Sequence, residues 1–141
     1  MIEKTMYKLC KNNRSYWEFI RELRNMDGVR EGFIQQNHID SSAHQTYMEK
    51  YGDCYYICLE DSAPVGYVGV IEADIRIATH PIHQKKGVAR FMINELLRLH
   101  PDSIAKVKID NDASLRLFES CGFTKKYYIL EKDNSNVTQP I

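Results

Sequence analysis

The run Gln84-Lys85-Lys86-Gly87-Val88-Ala89 holds the clearest chemistry in this sequence. Before it, Ile75, Ile77 and Thr79 alternate with other residues and stop at Pro81; after it, a long amphipathic segment begins. Strand, loop and helix in that order put several unpaired backbone N–H groups at the mouth of a helix, where the helix dipole adds partial positive charge. With Lys85, Lys86 and Arg90 alongside, that mouth suits an anion such as a pyrophosphate. Gly87 lets the backbone approach such an anion closely and adopt positive φ. The same residues also suit an ordinary solvated helix start. Spacing removes two other readings: there is no G-x-x-x-x-G-K-[ST] phosphate loop, and no G-x-G-x-x-G follows a strand.

The elements that must position this loop are legible from periodicity. Residues 2–10 are strand-compatible. Ser15 is placed to cap a helix from Tyr16 to Arg24, whose Tyr16, Phe19, Ile20 and Leu23 share one face. Asp27-Gly28 breaks it, and a short helix is expected over Val29 to Gln36. Asp40 or Ser41 caps a third, closed by Gly52. Cys54 to Leu59, Val65 to Ile71 and Asp74 to Thr79 then read as an antiparallel meander, with a turn at Asp61-Ser62-Ala63-Pro64. The glycines of the second run point to a bulge or a close backbone approach. The helix after Gly87 offers Val88, Ala89, Met92, Ile93, Leu96, Leu97 and Leu99 to a core, with Arg90, Asn94 and Arg98 on the wet side. Ala105, Val107 and Ile109 alternate with lysines as a strand. Asn111 caps a last helix ending at Gly122, and a strand from Phe123 to Leu130 precedes a polar tail, 131–141. The expectation is an α/β (α+β) fold: one domain over residues 1–130, with a mixed, mostly antiparallel sheet and helices on both faces.

Whole-chain properties narrow the partners. Acidic and basic residues balance at 19 each in 141 residues, so no global field favours nucleic acid or a charged membrane. No apolar run approaches the length of a spanning helix, and the N-terminus lacks a signal-peptide core. Cys10, Cys54, Cys58 and Cys121 have no CxxC spacing. Cys54 and Cys58 would share a strand face but stand too far apart to chelate readily, so free thiols in a reducing, cytoplasmic compartment are expected, with no metal.

Gln84-x-x-Gly87-x-Ala89 after a strand, with Asn111, Ala113, Phe118 and Gly122-Phe123 downstream, resembles the GNAT superfamily of acetyl-CoA-dependent N-acetyltransferases over roughly residues 52–130. The resemblance implies a sheet whose parallel strands splay apart around the pantetheine arm of acetyl-CoA. It gives the backbone of Ile77, Ala78 and Thr79 to that arm, and Gln84, Lys85, Lys86, Gly87, Val88, Ala89 and Arg90 to the pyrophosphate. Asn111 and Phe118 would also meet the cofactor. One C-terminal strand of the family pattern looks lost or shortened. Where the family has a tyrosine that protonates the leaving thiolate, this chain has Phe118, which cannot; water or a nearby hydroxyl then replaces it, or the chain is a weakened acyl-CoA binder.

Amide formation from a thioester needs a neutral amine, and Asp74 or Glu72, near the start of the strand leading to the acyl site, could take its proton. Each has a plain alternative, Asp74 as a sheet-edge ion pair and Glu72 as a turn residue. His80 and His83 gain no role from the resemblance. The opening Phe19-Ile20-Arg21-Glu22-Leu23-Arg24, with Arg30 and with His44-x-x-Tyr47-Met48, is similar to a GNAT branch that acetylates nucleotide-linked amino sugars. Arg24 and Arg30 would then hold a diphosphate bidentately, although Arg24 also suits a helix end. A small-molecule amine acceptor and a monomer or homodimer are expected. A protein N-terminus or lysine is the rival acceptor, and a non-catalytic acyl-CoA module the third reading.

Overall fold

Alternating apolar residues build the sheet. In the computed structural model, which describes residues 6–133, strands β1 (Tyr7–Lys11), β2 (Tyr55–Glu60), β3 (Ala63–Ile71) and β4 (Asp74–Thr79) form one antiparallel sheet in the order β1-β2-β3-β4. The expected meander is β2 to β4. Its hairpins turn at Asp61-Ser62 and Glu72-Ala73, with positive φ at both residues of each, the geometry that matches strand twist.

Helices α1 (Trp17–Asn25), α2 (Ser41–Tyr51), α3 (Val88–Leu99) and α4 (Asp112–Ser120) cover the sheet. Side chains alternate along each strand, so the sheet has two cores. On one face Val68 and Ile75 pack with Val88, Met92, Ile93 and Leu96 of α3 and Phe118 of α4. On the other Tyr55, Ile57, Tyr67 and Ala78 pack with Ile20 and Leu23 of α1 and Met48 of α2. This is the mixed α/β fold expected, with helices on both faces. Among the described residues no helix is long and apolar enough to cross a membrane.

Several local expectations change. Asn13, not Ser15, caps the first helical turn, its side chain accepting from the Ser15 N–H at 2.9 Å; that turn is a 3-10 segment, Arg14–Tyr16, leading into α1. The second helix is only a 3-10 turn, Arg30–Gly32, because Gly28 at φ +85° and the extended Phe33 leave no room for more. Asp40 caps α2 through the Ala43 N–H at 2.7 Å. Cys54 and Cys58 do not share a face: Cys54 precedes β2 and packs beside Tyr55, whereas Cys58 is buried on the α3 side. Burial pushes the Cys58 thiol up to about 12. All four cysteines are free.

The largest departure is at the C-terminal half of the sheet. A parallel bridge joins Asp74 to Ile104, with the Ile75 N–H donating to the Ile104 carbonyl at 2.9 Å and the Ile104 N–H to the Ala73 carbonyl at 2.7 Å. Past it, the runs read as strands over 105–109 and 123–130 join no ladder among the described residues. Alternation specifies what a strand would bury but not which strand it pairs with. Most of the tail, from 134 onward, lies outside the described residues.

Candidate active site

The bond from Ile75 to Ile104 fixes which groups of β4 face outward. N–H and C=O of one residue point the same way and alternate along a strand. Asp74, Arg76 and Ala78 therefore bond to β3, an orientation confirmed by the His80 N–H reaching the Val65 carbonyl at 2.9 Å. Ile75, Ile77 and Thr79 face the other edge. Ile104 covers that edge at its start. Gln84 reaches back to cap it at its end, its Nε2 donating to the Thr79 carbonyl at 3.3 Å. Between these, no described residue bonds the Ile77 N–H and carbonyl or the Thr79 N–H, which line a strip of strand edge.

That strip runs toward the start of α3. Lys85 and Gly87 both have positive φ, +63° and +88°, and Gly87 is the N-cap residue, which has no side chain to offer. The first bond of the helix comes from the Phe91 N–H to the Gly87 carbonyl at 3.0 Å. No side chain caps α3 and no acidic residue lies in its first turn. The N–H groups at Val88, Ala89 and Arg90 therefore point out of the helix mouth. A Cβ built on Gly87 meets nothing within 4 Å, so open space lies in front of them. Tyr7 of β1 braces the loop from below, its hydroxyl 3.5 Å from the Lys86 carbonyl and its ring 5.6 Å from Phe91. An extended arm with a diphosphate at one end fits this strip and mouth as a pair. A cavity of about 380 Å³ lined by Trp17, Met48, Glu49 and Asp53 lies elsewhere and has neither a strand edge nor a helix mouth.

Glu72 and Asp74 lie just before and at the start of β4, as the sequence places them. Glu72 is an exposed turn residue with φ +51°, at the opposite end of β4 from the helix mouth, roughly 16 Å away along the strand. It occupies the hairpin turn between β3 and β4. Asp74 is held by Arg76 Nε at 3.4 Å within β4 and by Lys106 Nζ at 3.8 Å, which ties β4 to the chain leaving Ile104.

Phe118 is 5 % exposed and sits in the α3-side core. The reason lies in how α4 ends. Gly122 at φ +97° donates to the Glu119 carbonyl and Phe123 to the Phe118 carbonyl, the paired bonds of a Schellman motif. The apolar contact that accompanies this motif is Phe118 against Phe123, ring centroids 5.2 Å apart. Phe118→Tyr is therefore expected to give no rate gain and to cost about 2 kcal/mol, since the added hydroxyl has no partner there; turnover and a urea melt of the one variant check both. Asn111 caps α4 through the Ser114 N–H at 3.1 Å and donates from Nδ2 to the Gly32 carbonyl at 3.3 Å.

On the α1–α2 face, Arg24 lays its guanidinium 3.9 Å from the Phe33 ring centroid and donates to the Gln35 carbonyl, while Nη1 is buried without a partner. Arg30 is paired with Asp27 at 3.2 Å. The two arginines thus do not form a free diphosphate clamp. Below Arg24 lie Tyr47, Tyr55 and Tyr67, with Tyr47 and Tyr55 sharing a 2.7 Å hydrogen bond. Burial pushes all three phenols up and the Arg24 guanidinium down. The phenols stay protonated at neutral pH and serve as donors, not bases. Sequence reasoning missed this cluster because Tyr47, Tyr55 and Tyr67 come from three different elements. It also missed the clasp of Gln84 on Thr79, because residues five apart across a turn carry no periodic signal.

His44 ties α2 to α1. It is buried, and its Nε2 lies 2.7 Å from the Trp17 carbonyl, so Nε2 carries the proton. Burial holds the ring's pKa below its usual value of 6.5. The unfolded chain takes up the proton first as pH falls, so this contribution to stability is full above about pH 6.5 and is lost on acidification toward the folded value. Urea midpoints measured from pH 7 to 5 should fall less steeply for His44→Gln, which keeps a donor to Trp17.

The chain is similar to known proteins along most of its length. The model of the acetyltransferase (GNAT) family matches residues 14–123. Spermidine N(1)-acetyltransferase of Vibrio cholerae serotype O1 is 27% identical over 129 residues, covering 86% of this chain and 72% of that protein. The crystal structure of spermidine N-acetyltransferase from Vibrio cholerae in complex with CoA and spermine matches with a TM-score of 0.77 at 21% identity, over 89% of this chain and 85% of that one. An aminoglycoside N-acetyltransferase in complex with CoA matches with a TM-score of 0.70 at 14% identity, over 96% and 99% of the two chains.

Proposed function

Because the chain belongs to the acetyltransferase (GNAT) family, we propose that it transfers the acetyl group of acetyl-CoA to a primary amine of a small molecule by direct attack. The observation that carries this reading is the open edge of β4 running into the uncapped start of α3. Ile77 and Thr79 would hold the pantetheine arm as an added strand, and Gly87, Val88, Ala89 and Arg90 would hold the pyrophosphate on backbone N–H groups. Lys85 and Lys86 add charge at the rim. Acetyl-CoA supplies an activated acyl group as a thioester; an outward N–H of β4 would polarise its carbonyl. Ala78, on the other side of the same strand, belongs to the face that carries Tyr47, Tyr55 and Tyr67, and the acceptor would approach from there.

The amine reaches this face as an ammonium, and its proton leaves through water. Asp74 is the one carboxylate of β4, but it stands four residues, about 13 Å, from Ala78 with Arg76 between them. We assign it a positioning role, holding Lys106 and the splayed chain, with water carrying the proton.

The acceptor we propose is a free polyamine or a similar multi-amine small molecule, as the names of the relatives suggest. A nucleotide-linked amino sugar, expected from the opening of the chain, has less support: Arg30 is held by Asp27, and Arg24 by Gln35 and Phe33. CoA release should be measured from acetyl-CoA with spermidine, an aminoglycoside, a UDP-linked 4-amino sugar and a peptide with a free N-terminus. Turnover with the first two and none with the peptide is expected. Turnover with the peptide alone would replace the small-molecule reading with a protein acetylase.

A further inference from the structure

The segment 26–39 between α1 and α2 has one short 3-10 turn and no strand, yet it is tied down at defined points. Hydrogen bonds within it set its shape: the Gly28 N–H donates to Glu31 at 2.8 Å, and Gln36 donates to the Glu31 carbonyl at 3.3 Å. α1 holds its second half, through Arg24 on Phe33 and Gln35 and through Asn25, which exchanges two 2.8 Å hydrogen bonds with Ile39. Among the described residues a single hydrogen bond joins this segment to any element other than α1. It is the 3.3 Å bond from Asn111 Nδ2 to the Gly32 carbonyl, between residues 79 positions apart.

Both ends of that bond show a residue choice that local structure does not require. Asn111 caps α4 with Oδ1, a task that aspartate or serine does as well, aspartate with the added favour of the helix dipole. Only asparagine can cap with an oxygen and at the same time donate from a nitrogen. Gly32 does not have the left-handed backbone of Gly28, Gly87 and Gly122. What a side chain there would meet is Asn111, because a Cβ would stand 3.2 Å from Nδ2.

The place of the bond gives it a consequence at the site. The bridge between Asp74 and Ile104 is parallel, so the chain leaves Ile104 in the direction of β4. Residues 74–79 and 104–109 are runs of equal length, which brings Asn111 to the Thr79 end of the strip, on its far side. Gly32 immediately precedes Phe33, whose ring packs with the face of Tyr55, Tyr67 and Ala78 and meets the Arg24 guanidinium. Releasing Gly32 therefore loosens the cover of the face from which the acceptor would approach.

We propose that Asn111 is a positioning residue for the acceptor: through the Gly32 carbonyl it holds Phe33 over the α1–α2 face where the amine is received. The proposal rests on the reading of that face as the acceptor's side.

Variants at both ends of the bond test it. Gly32→Ala presses on the contact from one side; Asn111→Asp and Asn111→Ser remove the nitrogen donor from the other and keep a capping oxygen. The bond is exposed, so all three chains should keep the wild-type circular dichroism spectrum. Amide exchange over 31–36 should quicken about two- to tenfold in each, the shift that loss of one such hydrogen bond gives. KM for the amine turned over, spermidine or the aminoglycoside, should rise by a similar factor, with kcat within about twofold of wild type. Gly32→Ala combined with either substitution at 111 should be no worse than the single variants, because both break one contact. Wild-type exchange rates over 31–36 in all three variants would overturn the proposal. So would KM effects that multiply in the double variants. Substitutions at 111 that raise KM for acetyl-CoA, with Gly32→Ala behaving as wild type, would overturn it in favour of a cofactor contact. No CoA release from the wild-type chain with any acceptor would overturn the acetyltransferase reading and the acceptor role with it, while faster exchange in the variants would still show the tether.

Discussion

Replacing Gly87 with aspartate will abolish the rise in melting temperature that CoA gives the wild-type chain. At about 100 times its dissociation constant a ligand that binds only the folded state adds about 2.7 kcal/mol of stability, so the wild-type shift is large enough to read in a thermal melt. The carboxylate would project into the open space in front of the first turn of α3, where a diphosphate would meet the N–H groups of Val88, Ala89 and Arg90. Like charge at that position opposes binding directly. The backbone complicates the comparison, because Gly87 sits at φ +88° and any side chain there is strained by roughly 1–2 kcal/mol. Gly87→Asn provides the control: it has nearly the same shape, tolerates left-handed backbone about as well, and carries no charge. Both variants should melt lower than wild type without ligand, and only the asparagine should keep a clear CoA-dependent shift. Equal shifts in all three chains would place the diphosphate elsewhere and remove the loop from the cofactor site.

Much of this site was legible because local rules set it. The glycine before α3, the lysines beside it, the Asn111 cap and the Gly122 stop each express the chemistry of one turn, and each stands where the pattern put it. The meander was equally local, its turns separated by short alternating runs. What was not legible depended on which neighbouring groups take up a ring or a charged head once the chain has turned. The sequence around Phe118 does not show that Phe123 and α3 pack on its ring. The contacts of the opening arginines are of the same kind. Arg24 and Arg30 are near each other in sequence, but Gln35, Phe33 and Asp27 take up their heads first. The run 105–109 has the right alternation, yet among the described residues its region meets β4 only through the backbone bridge at Ile104 and the Lys106–Asp74 ion pair. That single bridge leaves the strand edge open where the site needs it open.

The glycine of β3 beneath that edge should be as sensitive as the loop. Gly66 lies where β3, β4 and α3 meet, and a Cβ there would stand 2.8 Å from the Ala78 carbonyl oxygen and 2.8 Å from Cε of Met92. The two contacts differ in kind. Cε is the end of a flexible side chain and can swing away, although Met92 is fully buried and its new rotamer must find room. The Ala78 carbonyl cannot move alone, because Ala78 pairs with Tyr67 in the β3–β4 ladder. Gly66→Val therefore forces β4 and α3 apart, and overpacking of this kind costs about 3 kcal/mol. The movement reaches the site, since Ile77 and Thr79 flank Ala78 on the strand edge and α3 carries the helix mouth. CoA affinity should fall together with stability, even though the new side chain touches neither the edge nor the mouth. Adding Met92→Ala to Gly66→Val separates the two clashes. It removes the side-chain contact and leaves the carbonyl contact, so it should recover neither the lost stability nor the lost affinity. Full recovery in the double variant would show that Met92 alone sets the spacing, and that the carbonyl of Ala78 is free to give way.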